Sequence, residues 1–246
     1  MSQVGSDVPV QILDQLAPGG RLVIPMRIRG SISRCLAFER DGRAWKTVSS
    51  EMMSFVPLRK GVCNDIRTMV DMAGEGDVRL ETYSEQSVDR DAIRNVLDQP
   101  PATVFTSVKF RKDTYQWLYL YLAFVFPNAL SRVPGSHPGL NPNFGWGSMA
   151  ALDDDTLAHL TKREGEDEQD KFWQLGVIGH GPRAAELADQ VATEIHEWHR
   201  DWGNNAPQPT FRLAVGGARG QLAATEPRFI IDKTSSRLVV DWPRKS

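Results

Sequence analysis

The sequence predicts an α/β fold in two unequal parts: a β-rich first block with one short helix, then a longer block mixing helices and strands. Three observations carry that expectation. Leu16-Ala17-Pro18-Gly19-Gly20 stops a helix directly ahead of an apolar strand, and a Pro-Gly-Gly turn offers the positive φ that such a reversal needs. Asp41-Gly42 separates two strand-like segments, the signature of a β-hairpin. Leu187, Val191, Ile195 and Trp198 recur at three- and four-residue steps, the stripe of an amphipathic helix.

The first block opens with a helix over residues 10–16 and a strand over 21–26, followed by a hairpin of 34–39 and 44–48. So small a β segment is marginal as an isolated domain and reads as the finishing edge of a larger sheet. Residues 61–77 hold a short helical segment and then a Gly- and acid-rich stretch, which predicts a linker between a first domain at 1–60 and a second at 78–246.

In the second block, residues 78–83 alternate as a strand, and Asp89 is placed to cap a helix running to Val96 or Leu97, ended by Pro100-Pro101. Asp113 and Gln116 have N-cap and N3 spacing ahead of residues 115–126. That segment is apolar all round, which predicts a buried helix, closed by Pro127. Residues 128–147 are rich in Gly, Pro and Asn without periodicity and predict a long loop. Paired strands are expected over 148–152 and 156–160, and the acidic tract 164–170 as a solvated loop tip. A strand over 172–178, a tight turn at Gly179-His180-Gly181 and a helix over 182–202 follow. Closing strands are expected over 210–215, 228–232 and 237–242, the last two joined as a hairpin. This half reads as α+β.

A formal net charge of −2 and a pI near 6.2 argue against a nucleic-acid partner. Hydrophobic content of 41% with 24% charged residues argues for a folded chain. Cys35 and Cys63 lack metal-ligand spacing, and the opening MSQVGSDVPVQ has no basic or apolar region of a secretory signal. The longest apolar run, residues 117–126, falls well short of the ~20 residues needed to cross a bilayer. A cytoplasmic protein without a membrane span is expected.

Gly176-x-x-Gly179-x-Gly181 between a strand and a helix admits three readings: a cofactor-cradling loop, a peptide-carboxylate site using His180 and Arg183, or a plain turn. Pro182 stands where a cradling donor is wanted, and no acidic residue is placed to take a ribose hydroxyl. His196 and His199 are one helical turn apart, but the spacing is not that of a zincin and no third ligand is evident, so no metal is expected. Gly216-Gly217-x-x-Gly220 reads as a flexible turn. The residues alone present no complete active site.

The stretch Val8-Pro9-x-x-Ile12-Leu13-Asp14-Gln15-Leu16-Ala17-Pro18-Gly19-Gly20-Arg21-Leu22-Val23-Ile24-Pro25 closely resembles the late Rossmann segment of protein-L-isoaspartate O-methyltransferases. Leu36-Ala37-Phe38-Glu39-Arg40-Asp41-Gly42 and Phe55-Val56-Pro57-Leu58-Arg59 resemble that family's final strands. Leu157-Ala158-His159-Leu160-Thr161, the stretch from Leu175 to Pro182, and Phe229-Ile230-Ile231-Asp232-Lys233 with Arg237-Leu238 resemble the C-terminal extension of the FxLD-system branch, which acts in lanthipeptide-type peptide maturation. The resemblance implies the C-terminal piece of a Rossmann-like SAM methyltransferase sheet followed by an α+β accessory domain.

The family's Gly-rich SAM loop and ribose-binding acid have no counterpart after Met1. The resemblance therefore implies S-adenosyl-L-methionine binding only when an upstream half is supplied, and none by the isolated chain. It implies methyl transfer to an aspartyl or isoaspartyl carboxylate of a precursor peptide, with an upstream SAM-binding polypeptide as partner. Ser6 and Pro9 fall where the family contacts its substrate, and His180 and Arg183 are the candidate contacts of the accessory domain. The alternative is a catalytically inactive peptide-recognition or scaffold module. A sheet without its early strands is also expected to leave Leu22, Val23 and Ile24 unpaired on one side.

Overall fold

The computed structural model describes residues 3–4, 7–53, 56–57, 67–72, 78–110, 115–134, 137–140, 148–164, 172–203, 207–222 and 228–244. In chain order the elements are β1 (Gln3–Val4), α1 (Val10–Asp14), β2 (Leu22–Arg29), β3 (Ile32–Asp41), β4 (Ala44–Met52), β5 (Val56–Pro57), β6 (Arg67–Asp71), β7 (Arg79–Tyr83), β8 (Ala102–Phe110) and α2 (Tyr115–Val125). They continue as β9 (Leu130–Val133), β10 (Ser148–Asp153), β11 (Thr156–Glu164), β12 (Trp173–His180), α3 (Ala184–Trp202), β13 (Thr210–Val215), β14 (Arg228–Asp232) and β15 (Ser236–Asp241). Short 3-10 segments occupy Val96–Asp98 and Gly216–Gln221. The chain is thus α/β and sheet-rich, with few helices. It divides into one unit of Met1–Ile28, Ser33–Asp65 and Asn205–Ser246, and another of Arg29–Ile32 and Ile66–Asn204.

The first unit is built on a sheet in the order β14-β15-β13-β4-β3-β2, beside a short parallel pair of β1 with β5. The expected hairpin forms between β3 and β4, with Gly42 at φ +60° in its turn. Strands β13, β14 and β15 complete the sheet by antiparallel pairing, β13 joining β4 at Leu213 opposite Trp45. Both of those residues are buried. Two polar anchors add to the pairing. The buried Asp7 carboxylate accepts the Val8 and Ser235 amides and the Ser236 hydroxyl, and Lys233 Nζ donates to the carbonyls of Arg27 and Ile28 at 3.0 Å each.

Residues 205–246 therefore belong with the first block, and not to a single domain over 78–246 as the sequence suggested. The physical reason is the open edge of β4, whose backbone groups and half-buried face are satisfied by a strand far away in the chain. At the other end of the sheet order, β2 is the edge strand among the described residues and carries Val23 at 61% exposure.

The second unit is a sheet in the order β6-β7-β9-β10-β11-β12-β8 with antiparallel pairings. Helix α3 lies on β8, β12 and β11 with its Leu187, Val191, Ile195 and Trp198 stripe buried, as its spacing predicts. It comes so close that a Cβ at Gly179 would stand 2.1 Å from the Ala184 carbonyl oxygen. Helix α2 is buried from Trp117 to Ala123, and Tyr121 donates its hydroxyl to Glu194 of α3 at 2.7 Å. The hairpin tip Arg29–Ile32 is part of this unit. Arg29 donates to the carbonyls of Ala123 (3.0 Å), Phe124 (2.8 Å) and Pro127 (2.8 Å), taking up acceptors that the end of a helix leaves open.

Three local expectations change. Of the segment 61–77, residues 67–71 form the strand β6 against β7, while 61–66 and 73–77 lie outside the described residues. Asp89 does cap, its carboxylate accepting the Asp91 and Ala92 amides at 3.0 Å, but no α-helix follows. Asn95 turns to φ +59° and gives its amide to the Met72 carbonyl, and Ile93, Val96 and Leu97 are buried in the core. Tertiary burial has overridden a local helix signal. Within the expected loop 128–147, Leu130–Val133 is a paired strand, and 141–147 lies outside the described residues.

Candidate functional site

Within the second unit, His180 and Arg183 do not converge on one site. Ser6 lies outside the described residues. Pro9 is buried at the start of α1, where its carbonyl accepts the Ile12 amide at 3.1 Å. His180 ends strand β12, two positions beyond the end of the strand expected there, and is fully buried. Arg183 lies at the surface, its guanidinium committed to Asp153 at 2.6 Å and to the Asp153 carbonyl at 3.1 Å, with Asp155 at 3.5 Å. Hydrogen bonding to Asp153 raises the already high Arg183 pKa further. The peptide-carboxylate reading needs His180 and Arg183 to face one ligand, and the fold puts one inside and the other outside.

His180 instead joins two other histidines. Its ring stacks on His159 of β11, with centroids 5.5 Å apart and planes 13° apart. The Nε2 atoms of both rings converge on the Gly139 carbonyl, at 3.1 Å from His180 and 3.3 Å from His159. A carbonyl oxygen has two lone pairs, so it can accept from both when each ring is the Nε2–H tautomer. The Gly139 amide donates to His137 Nδ1 at 3.0 Å, which leaves the His137 proton on Nε2, 3.3 Å from Asp98 Oδ1. The turn closes with the Leu140 amide donating to the His137 carbonyl at 2.9 Å.

Burial pushes the His159 imidazole down to about 4, against the opposing pull of the Leu160 and Gly139 carbonyls and with the help of the neighbouring His180. His180 is lowered for the same leading reason, with His137 acting in the same direction. Both rings are neutral at pH 7; His180 donates from Nε2 to Gly139, while neutral His159 has one N–H for two carbonyls at 3.3 Å, Gly139 at Nε2 and Leu160 at Nδ1. His137 and His159 were not singled out in the sequence as site residues. The one available signal was a histidine inside the otherwise apolar run Leu157 to Leu160.

The glycine-rich turn does not fit a cofactor. A Cβ at Gly176 would meet the Phe105 ring at 2.7 Å, so that glycine accommodates an aromatic ring. At the start of α3 the Arg183 amide donates to Thr156 Oγ1 and the Ala184 amide to the Gly181 carbonyl, so these donors are spent within the fold. Gly216 opens a 3-10 segment with nothing near it. Among the described residues no group of three or more His, Cys, Asp or Glu could hold a metal ion, and no helix is long and apolar enough to cross a membrane. Burial raises the Cys35 thiol pKa, away from the reactive thiolate.

Comparison with known proteins locates the family likeness. Residues 1–62 match the family described as Protein-L-isoaspartate(D-aspartate) O-methyltransferase. Among individual proteins, the chain is similar to the Protein-L-isoaspartate O-methyltransferase of Bordetella petrii, 44% identical over 63 residues, which is 25% of this chain and 22% of that protein. The Bordetella avium protein of the same name is 44% identical over 64 residues, covering 25% and 23%. That of Pseudomonas syringae pv. tomato is 39% identical over 61 residues, covering 25% and 28%. The chain thus spans about a quarter of the length of the curated relatives it matches. No solved structure matches it.

Proposed function

We propose that this chain is the C-terminal part of a SAM-dependent protein or peptide carboxyl O-methyltransferase acting on aspartyl or isoaspartyl groups. The observation that carries the reading is the match of residues 1–62 to the isoaspartyl methyltransferase family. The matched stretch is the first block of the sequence, whose strands β2, β3 and β4 form one sheet with the C-terminal strands.

S-adenosyl-L-methionine, when bound, supplies an electrophilic methyl group. Among the described residues the glycine-rich turn at 176–181 is taken up within the fold, and the cofactor's cradle is assigned to an upstream SAM-binding half. The second unit, with its own sheet and core, is assigned to holding a precursor peptide in cytoplasmic maturation of a ribosomally made peptide, as in the FxLD system. Ser6 and Pro9 stand on the substrate side of that assignment. Arg183 can contribute by exchanging Asp153 for a peptide carboxylate. His180 can contribute only if its cover opens. A second reading, an inactive recognition or scaffold module, is favoured by a seven-stranded sheet whose strands all lie outside the matched residues.

Calorimetric titration of the purified chain with S-adenosyl-L-methionine, alone and with a separately expressed SAM-binding half, tests the proposal. The expected result is heat only with the added half. Binding by the chain alone overturns the missing-half reading. Silence in both, with precursor peptide still bound, favours the recognition module.

A further inference from the structure

We propose that the turn at residues 137–140 is a pH-responsive latch, held on β11 and the end of β12 by neutral His159 and His180 and released when they are protonated. The geometry is that of a single attachment point. One backbone carbonyl, Gly139, is approached by Nε2 of two stacked imidazoles on adjacent strands and accepts from both when each is the Nε2–H tautomer, His159 Nδ1 then facing the Leu160 carbonyl at 3.3 Å. Next to it, Leu140 inserts into the apolar cluster that contains Leu97, Leu152 and Leu157. The fit leaves little slack, since a Cβ at Gly139 would stand 2.9 Å from the Leu97 carbonyl oxygen and 3.2 Å from His180 Cε1.

Protonation attacks this attachment in two ways. Each ring would carry a charge where neither is exposed to solvent, and two charged rings would face each other at 5.5 Å. The buried Nδ1 of His180 has no hydrogen bond of good geometry, and the pull of the Gln99 carbonyl toward the charged ring is outweighed by burial. The surrounding groups do little to offset this. From the turn, His137 faces His180 and is itself paired with Asp98, which follows the 96–97 segment. From β10, Ala150 stands opposite His159, and Asp153 at the strand end is paired with Arg183, as is Asp155 in the following turn. From β12, Ile178 stands opposite His159. The Gly139 and Leu160 carbonyls favour a charged His159, but burial outweighs them. Release gives the rings back to water and withdraws Leu140 from the core, uncovering the apolar slot beside Leu97 and Leu157.

Hydrogen exchange of the full chain between pH 7.5 and 5, corrected for intrinsic rates, tests the latch. For His159 alone, a ring near 4 when latched and near 6.5 when released implies that opening becomes roughly 30-fold more favourable over this range. Protection of the Gly139 and Leu140 amides should fall by that order while Val177 in β12 keeps its protection. His159→Gln and His180→Gln, whose amides can still donate to the Gly139 carbonyl, should flatten the profile. If these variants do not fold, NMR titration of the native rings serves instead, with both rings titrating below the ordinary range in step with Gly139. The latch is overturned if protection at 139–140 is constant to pH 5, if it is lost together with that of Val177, if the glutamine variants keep the full pH dependence, or if the rings titrate normally without a response at Gly139.

Discussion

The carboxylate of Asp7 accepts the hydroxyl of Ser236, a residue 229 positions further along the chain. The same carboxylate takes the amides of Val8 and Ser235, so three donors depend on one buried acid. Asp7→Ala leaves those donors without it and should cost about 3 kcal/mol of unfolding free energy, read by urea denaturation. An unchanged midpoint would mean that this anchor does not hold the first unit together.

Gly30 sits at φ +53° at the tip of the β2–β3 hairpin, where an added Cβ would lie 2.3 Å from the Leu130 carbonyl oxygen. Gly42 has nearly the same backbone, φ +60°, with nothing within 4 Å. Gly30→Ala should therefore cost at least about 2 kcal/mol and Gly42→Ala only about 1 kcal/mol. Equal losses in the two variants would show that the backbone conformation, and not the close approach, sets the requirement at the tip.

The neutral form of His159 is the one the fold prefers, so its contribution is complete above the unfolded value near 6.5 and is lost as pH falls toward about 4. Over that window the contribution amounts to roughly 3 kcal/mol, with protein less stable in acid. Comparing denaturation of the native chain and His159→Gln at pH 7 and pH 4.5 checks the sign. The native chain should lose more on acidification than the variant.

Arg183 is exposed and paired with Asp153 and Asp155. Because surface ion pairs contribute little, Arg183→Ala should leave thermal stability essentially unchanged. Any loss of precursor-peptide binding in that variant can then be assigned to recognition. Binding that survives the substitution removes Arg183 from the proposed contacts.

Local pattern made much of the secondary structure legible. The Pro18-Gly19-Gly20 stop, the Asp41-Gly42 hairpin, the pairing of β10 with β11, the apolar helix α2 and the stripe of α3 are all short-range signals, and the structure contains each. The family likeness was legible for the same reason, because it lies in one continuous stretch at residues 1–62. Asp89 shows where such reading stops: its cap forms, but burial of Ile93, Val96 and Leu97 decides that no helix follows.

The sequence by itself determined most of the elements and the family likeness of the first block. Only the tertiary structure decided which strands share a sheet and which polar groups meet. Pairing β13 with β4 joins residues more than 160 positions apart, and nothing in the local alternation of either strand specifies that partner. The histidine cluster has the same origin. His137, His159 and His180 are separated by some twenty residues each, and the bends that bring their rings around the Gly139 carbonyl follow from burial and backbone satisfaction over the whole second unit.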